Sequence, residues 1–173
     1  MANAAPSALT PVLVVMGVAG TGKSTVAGLL AGHLGWELQE GDDLHPPANV
    51  AKMSEGIPLT DEDRWPWLDL VGGWIDGQIA DDAPGIVTCS ALKRSYRDRL
   101  RRPNVTFVHL SGSREVIAGR LAARRDHFMP TTLLESQLDA LEVPGADEQV
   151  ITVDVAGTPG EQVAAVLHEL GRP

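Results

Sequence analysis

Val12-Leu-Val-Val-Met-Gly-Val-Ala-Gly-Thr-Gly-Lys-Ser-Thr25 is the stretch that decides how the chain folds. Its apolar, largely β-branched start, Val12 to Met16, reads as a buried strand. A glycine-rich turn follows, and a helical pattern runs on from Lys23 to Leu34. Gly17, Gly22, Lys23 and Ser24 stand at the spacing of a nucleotide-binding P-loop, with the strand before it and the helix after it that the motif requires. Glycines let backbone N–H groups converge on phosphate oxygens, and the new helix adds its positive end. The turn as a whole (Gly17, Ala19, Gly20, Thr21, Gly22, Lys23, Ser24 and Thr25) is a candidate cradle for the phosphates of ATP. Lys23 reaches the β/γ-phosphates in such a cradle, and the Ser24 hydroxyl ligates Mg²⁺. A plain glycine turn would account for the glycines but not for the lysine–hydroxyl end.

At 173 residues the chain has the length of one domain with a sizeable core. Hydrophobic residues make up 43% and charged residues 21%, as in ordinary globular proteins. One cysteine, Cys89, rules out an intrachain disulfide framework and a cysteine zinc cluster, and fits a reducing compartment. No apolar run is long enough to span a membrane. Residues 1–11 lack the basic and apolar segments of a secretory signal, so they read as a flexible lead and the cytoplasm is the expected location. The formal charge is −9, with 14 Lys plus Arg against 23 Asp plus Glu. That balance argues against a nucleic-acid partner. Anionic ligands remain open, because local fields decide such sites and basic residues cluster at 93–102 and 114–125.

Apolar runs at 36–39, 86–89, 105–110 and 150–153 alternate with helical patterns at 48–55, 61–79, 93–101, 113–123, 131–141 and 159–170. Asp61 is a candidate cap for the long second helix, which Gly72 and Gly73 threaten to interrupt. Strands alternating with helices predict a mostly parallel sheet covered on both faces. The expected fold is a three-layer α/β/α P-loop NTPase fold over residues 12–173, with a five-stranded parallel sheet and a small mobile lid at 124–141.

Gly41-Asp42-Asp43-Leu44-His45-Pro46 follows the second strand and so reaches the nucleotide crevice at the sheet edge. A carboxylate there could orient an acceptor hydroxyl and take its proton. Asp42 lies nearer the strand exit than Asp43; an acidic cap of the turn is the competing reading. His45 suits either a polar acceptor or a structural bond to the turn. Arg64 can grip a carboxylate through two parallel donors or join an internal Asp–Arg network. Met53, Trp65 and Trp67 read as packing residues. Lys93, Arg97 and Arg101, four apart, could share a helix face toward an anion or form solvated surface. Cys89 reads as a buried thiol. Arg124 is the leading candidate to close over ATP, Arg120 reading as a packing residue at the base of its helix and a solubilising patch being the alternative.

Taken together these segments resemble the gluconokinase family of P-loop kinases. The resemblance rests on Gly17-Val-Ala-Gly-Thr-Gly-Lys-Ser24, Gly41-Asp-Asp-Leu-His-Pro46, Asn49-Val-Ala-Lys-Met53, Gly56-Ile-Pro-Leu59 and Asp61-Glu-Asp-Arg64 with Trp67. It continues through Cys89-Ser-Ala-Leu-Lys93, Tyr96-Arg-Asp98, Arg124, His127-Phe128, Glu142 and Pro144. It implies ATP- and Mg²⁺-dependent phosphorylation of D-gluconate at the 6-hydroxyl by a homodimer. Asp42 becomes the hydroxyl-activating aspartate, Lys23 and Arg124 its catalytic partners, and His45, Lys52, Arg64, Lys93 and Arg97 candidate gluconate contacts. Glu40 stands where members of the family often carry aspartate, which puts a direct substrate role for that position in doubt. Another small-molecule kinase, for shikimate, a nucleotide or a different sugar acid, is the near alternative. A nucleotide-dependent switch is the distant one.

Overall fold

The structure, a computed structural model, describes residues 10–123 and 131–172. Five strands form one sheet: β1 (Val12–Met16), β2 (Glu37–Glu40), β3 (Gly85–Thr88), β4 (Val105–Ser111) and β5 (Val150–Asp154). Their order is β2-β3-β1-β4-β5 and every pairing is parallel. Among the described residues seven helices connect and cover them: α1 (Lys23–Leu34), α2 (Pro47–Ser54), α3 (Asp61–Ala80), α4 (Arg94–Leu100), α5 (Arg114–Ala123), α6 (Thr131–Ala140) and α7 (Pro159–Glu169). The result is the expected three-layer α/β/α P-loop fold. No helix among the described residues is long and apolar enough to cross a membrane.

The alternation of β1 explains the layering. Successive strand side chains point to opposite faces, and both faces of β1 are apolar. Val12, Val14 and Met16 pack with Trp67, Leu68, Val71 and Ile75 of α3 and with Tyr96 and Leu100 of α4. Leu13 and Val15 pack on the other side with Val26 and Leu30 of α1 and Val163 and Val166 of α7. The neighbours β1 and β3 thus send their connections, α1 and α4, to opposite faces. This opens a crevice at their C-terminal ends, the usual ligand position of an open parallel sheet. A third cluster, Val18, Leu92, Ile117 and Leu134, joins α5 and α6 to the rim of that crevice.

Three sequence expectations shift. Strand β2 starts one residue later than read, which brings Glu40 into register with Thr88. Helix α3 is capped by Thr60 rather than Asp61: the Thr60 side chain accepts from Asp63 N–H and Asp63 returns the bond in a capping box. The same helix runs unbroken through Gly72 and Gly73. At Gly72 a Cβ would stand 3.3 Å from the Arg102 guanidinium and 3.7 Å from the Arg99 carbonyl, so the missing side chain admits the end of α4.

After β2 a single 3-10 turn, Gly41–Leu44, delivers the acidic pair to the crevice. Gly41 is pinned on both sides: its N–H donates to Thr88 Oγ1 at 3.1 Å and its carbonyl accepts from Trp67 Nε1 at 2.8 Å. A Cβ on Gly41 would lie 1.9 Å from the Thr88 carbonyl oxygen, closer than any contact tolerates. Gly41→Ala must therefore push the turn off β3. We expect a loss of about 1–3 kcal/mol, the cost of overpacking a fitted site, with a fall in kcat because Asp42 moves with the turn. Urea denaturation and steady-state kinetics check both, and a G41A protein with wild-type midpoint and turnover would contradict this packing.

Candidate active site

The P-loop closes tightly around its own backbone. Gly17, Gly20 and Gly22 all adopt positive φ, a region that favours glycine. At Gly20 space adds a second constraint, since a Cβ would meet Leu121 of α5 at 2.6 Å. Thr21 is fully buried and donates its hydroxyl to the Val18 carbonyl at 2.8 Å, so it offers a ligand only its backbone. Lys23 Nζ lies 3.0 Å from the Gly17 carbonyl and 3.1 Å from that of Val18, poised over the turn. Helix α1 begins at Gly22 without a side-chain cap, whereas α3 and α7 both start with threonine capping boxes. No N-cap side chain competes there with an anion, as at phosphate sites. Gly20, Thr21, Gly22 and Thr25 line a cavity closed by Arg120 and Pro159.

A second cavity adjoins the first across the turn. Ala19, Lys23, Asp42, His45, Arg64 and Trp67 line it together with Ser90, Met53, Ile57, Pro58 and Leu59. Helix α6 contributes Leu133, Ser136 and Gln137. Asp42 is in this cavity and Asp43 is not, which selects between the two aspartates on position. The Asp42 side chain is 87% exposed, so an acceptor can reach it. His45 beside it is only 3% exposed, stacked on Trp67 with ring centroids 4.0 Å apart. Asn49 Nδ2 also donates to the Asp63 carbonyl and stands 3.2 Å from His45 Nδ1. An amide donor on Nδ1 assigns the ring hydrogen to Nε2, which faces Asp42 Oδ1 at 4.0 Å. Burial lowers the pKa of His45; Asp42 opposes this and Arg64 adds to it. His45 is therefore a neutral donor at pH 7 rather than a positive charge.

Arg64 enters the cavity supported by Tyr96, whose hydroxyl it meets at 3.2 Å. Tyr96 in turn donates to Asp61, which accepts Lys93 Nζ at 3.0 Å. Lys52 is paired with Asp63 at 2.7 Å. Neither lysine lines the cavity; both form its outer support, each held by a carboxylate of α3. The hydrogen bond from Lys52 and those involving Thr60 pull Asp63 down to about 2.

Arg97 is a correction. The sequence places it among the substrate contacts, but its side chain is 1% exposed and every donor is used internally. Nε meets Glu148 Oε1 at 2.7 Å, and the two terminal nitrogens reach the Ala91, Leu92 and Glu142 carbonyls and Glu148 Oε2. It is a structural clamp between the start of α4 and the loop before β5. The Cys89 thiol, 2% exposed, is pushed up to about 12 by burial and is no nucleophile at neutral pH. Arg120 packs against the Val155 and Gly157 carbonyls, as its position predicts. Arg124, His127 and Phe128 lie outside the described residues.

Sequence reasoning missed two partners of the P-loop. Glu40 Oε2 accepts from Ser24 Oγ at 3.1 Å and from Thr88 Oγ1 at 2.6 Å, which sets a carboxylate beside the proposed metal ligand. The strand register would have shown it, had β2 been extended by one residue. Gln137 Oε1 accepts the Ala19 N–H at 2.7 Å; at a sequence separation of 118 no local signal could have found it.

A P-loop cradle beside a pocket holding an accessible carboxylate, a neutral histidine donor and an arginine defines a P-loop kinase of small molecules. No protein-family model matches the chain. Its relatives narrow the class. The gluconokinase of Gluconobacter oxydans is 56% identical over 162 residues, covering 92% of this chain and 89% of that protein. A crystal structure of a gluconokinase from Sinorhizobium meliloti superposes with a TM-score of 0.85 at 49% identity, covering 94% of this chain and 93% of the other. An unliganded sugar kinase from Janibacter gives 0.89 at 48% identity, covering 94% and 95%. The chain belongs to the gluconokinase family.

Proposed function

We propose the following division of labour for gluconokinase chemistry, the ATP-dependent phosphorylation of D-gluconate at its 6-hydroxyl. The P-loop backbone and Lys23 grip the phosphates of ATP. Gluconate occupies the neighbouring cavity, with its carboxylate or hydroxyls on Arg64 and the His45 Nε2–H, and its terminal hydroxyl on Asp42. Asp42 orients that hydroxyl and takes its proton as the phosphoryl group transfers in line, so that catalysis rests on positioning and charge stabilisation. The observation that carries this reading is that Asp42 and Lys23 line one cavity, on its acceptor and donor sides. Lys52 and Lys93 act from the outer support through Asp63 and Asp61.

The donor set at Ser24 suits Mg²⁺: a hydroxyl and the Glu40 carboxylate are hard oxygen ligands. Among the described residues no group of three or more His, Cys, Asp or Glu could form an all-protein cage, and Mg²⁺ bound through phosphates and water needs none. When bound it offsets negative charge on the phosphates. Arg124 and a homodimer complete the proposal on the strength of the family resemblance, a lid over 124–141 on its position and basic composition, and a cytoplasmic location on the absence of a signal-like start.

Purified protein with ATP, magnesium and a panel of acceptors tests the assignment. ADP release with D-gluconate and little with shikimate or nucleoside monophosphates is the expected result. Turnover on those acceptors without gluconate, or nucleotide binding with no phosphorylated product, would overturn it.

A further inference from the structure

The Ala19 N–H sits at a seam. Gly20, Thr21 and Gly22, the residues that follow it, face the nucleotide cavity, whereas Ala19 faces the acceptor cavity with Lys23 and Asp42. A phosphoryl group passing from donor to acceptor must cross between the two, and Ala19 lines the acceptor side of that passage. In the structure its hydrogen-bond partner is protein: Gln137 Oε1 accepts it at 2.7 Å. An amide oxygen is a neutral acceptor of the same geometry as a phosphate oxygen, but a charged acceptor binds an N–H about twice as strongly. Gln137 is held in place by its helix. Leu134, one turn earlier in α6, is buried against Val18, the residue preceding Ala19, so side-chain packing and the hydrogen bond fasten the same two segments together.

We propose that Gln137 is a positioning residue that holds the place of the γ-phosphoryl group. Its side-chain oxygen satisfies the Ala19 N–H until a γ-phosphoryl oxygen replaces it. ADP, which lacks that group, leaves the bond intact. The exchange makes α6, a wall of the acceptor cavity, responsive to whether the donor site holds a transferable phosphoryl group. This rests on the kinase reading above.

The test compares ADP with the non-hydrolysable analogue β,γ-imido-ATP, each titrated with magnesium into the wild-type protein, Q137A and Q137E by calorimetry. Removing a competing neutral hydrogen bond in Q137A should tighten the imido analogue about threefold to tenfold, the worth of one net hydrogen bond. ADP affinity should stay within about twofold of the wild type, well inside that effect. Q137E keeps the size of the side chain but sets a negative charge against the incoming phosphoryl group, so the imido analogue should weaken selectively. A merely structural role would move both ligands together. Equal shifts for ADP and the analogue, no shift in either variant, or selective weakening of the analogue by Q137A would each overturn the proposal. Loss of all nucleotide binding by the wild-type protein would instead remove the kinase reading itself.

Discussion

Asp42→Asn is expected to lower kcat on gluconate by about 10²–10⁴-fold, the usual contribution of a positioned general base, while ATP affinity stays close to that of the wild type. Asp42 is carried into the acceptor cavity by a turn pinned at Gly41, and its carboxylate stays 87% exposed there, with only the His45 ring 4.0 Å away. Asparagine keeps the shape and can still accept a hydrogen bond, but it cannot take the hydroxyl proton. The P-loop backbone that grips the nucleotide is untouched. Asp43→Asn serves as control, since Asp43 is absent from the cavity. Steady-state kinetics with equilibrium ATP binding separate the two effects. Turnover within threefold of wild type in a folded D42N protein, or an equal loss in D43N, would contradict the assignment.

Arg97→Ala is expected to have the largest effect on stability, on the order of 3–5 kcal/mol, because it strands one partner of a buried ion pair. Glu148 is only 2% exposed and would lose its close partner, keeping only Arg94, whose nearest nitrogen is 3.7 Å away, as counter-ion. The Ala91 and Glu142 carbonyls would lose the Arg97 donors at the same time, and the Leu92 carbonyl would keep only the Glu142 N–H. In the intact protein burial pushes the Glu148 pKa up, but the Arg97 and Gly145 hydrogen bonds outweigh it and hold the carboxyl below its ordinary value. A depressed carboxylate stabilises the fold above its unfolded-state pKa, and that contribution is lost as pH falls through the folded-state value. In R97A burial still pushes the Glu148 pKa up while only the Gly145 N–H and the more distant Arg94 oppose it, so the pKa should rise, its penalty being greatest at neutral pH and easing on acidification. The stability gap between wild type and R97A should therefore narrow from pH 7 toward pH 4. The double variant R97M/E148Q, which removes both charges, should recover much of the loss. Urea denaturation across that pH range measures all three proteins. A pH-independent gap with no recovery in the double variant would show that the ion pair is not the cause.

The parts legible in the sequence are those fixed locally. The apolar run Val12 to Met16 reads locally as a buried strand, and the lysine–hydroxyl end marks the glycine turn after it as a P-loop rather than a plain turn, so the sheet and the P-loop fold followed. That Asp42 and His45 reach the crevice was legible for the same reason, because a strand end delivers them there; their roles were not, since an acidic cap and a structural histidine fit the sequence as well. The basic residues were not. Lys93, Arg97 and Arg101 are spaced as neighbours on a helix face, yet α4 spans only Arg94–Leu100. Lys93 precedes the helix and Arg101 follows it, and only Arg97 turns inward, to meet Glu148 across 51 residues. Lys52 and Lys93 were likewise claimed by Asp63 and Asp61, partners no periodicity reveals. A long flexible cation pairs with whichever carboxylate the tertiary fold brings near, and spacing along the chain carries no record of that. Trp67 was read as packing, and it packs; its hydrogen bond to Gly41, which steadies the Asp42 turn, became visible only with the fold.

The central claim is that a phosphate cradle and an acceptor carboxylate meet in one crevice to phosphorylate one end of gluconate. Its most direct measurement is ³¹P–¹H correlation NMR of the product formed by the wild-type protein from D-gluconate, ATP and magnesium. A phosphorus signal coupled to the terminal CH₂ protons, identifying 6-phospho-D-gluconate, is the predicted result. A phosphorus coupled to any other position, or ADP formed with inorganic phosphate alone, would contradict the account.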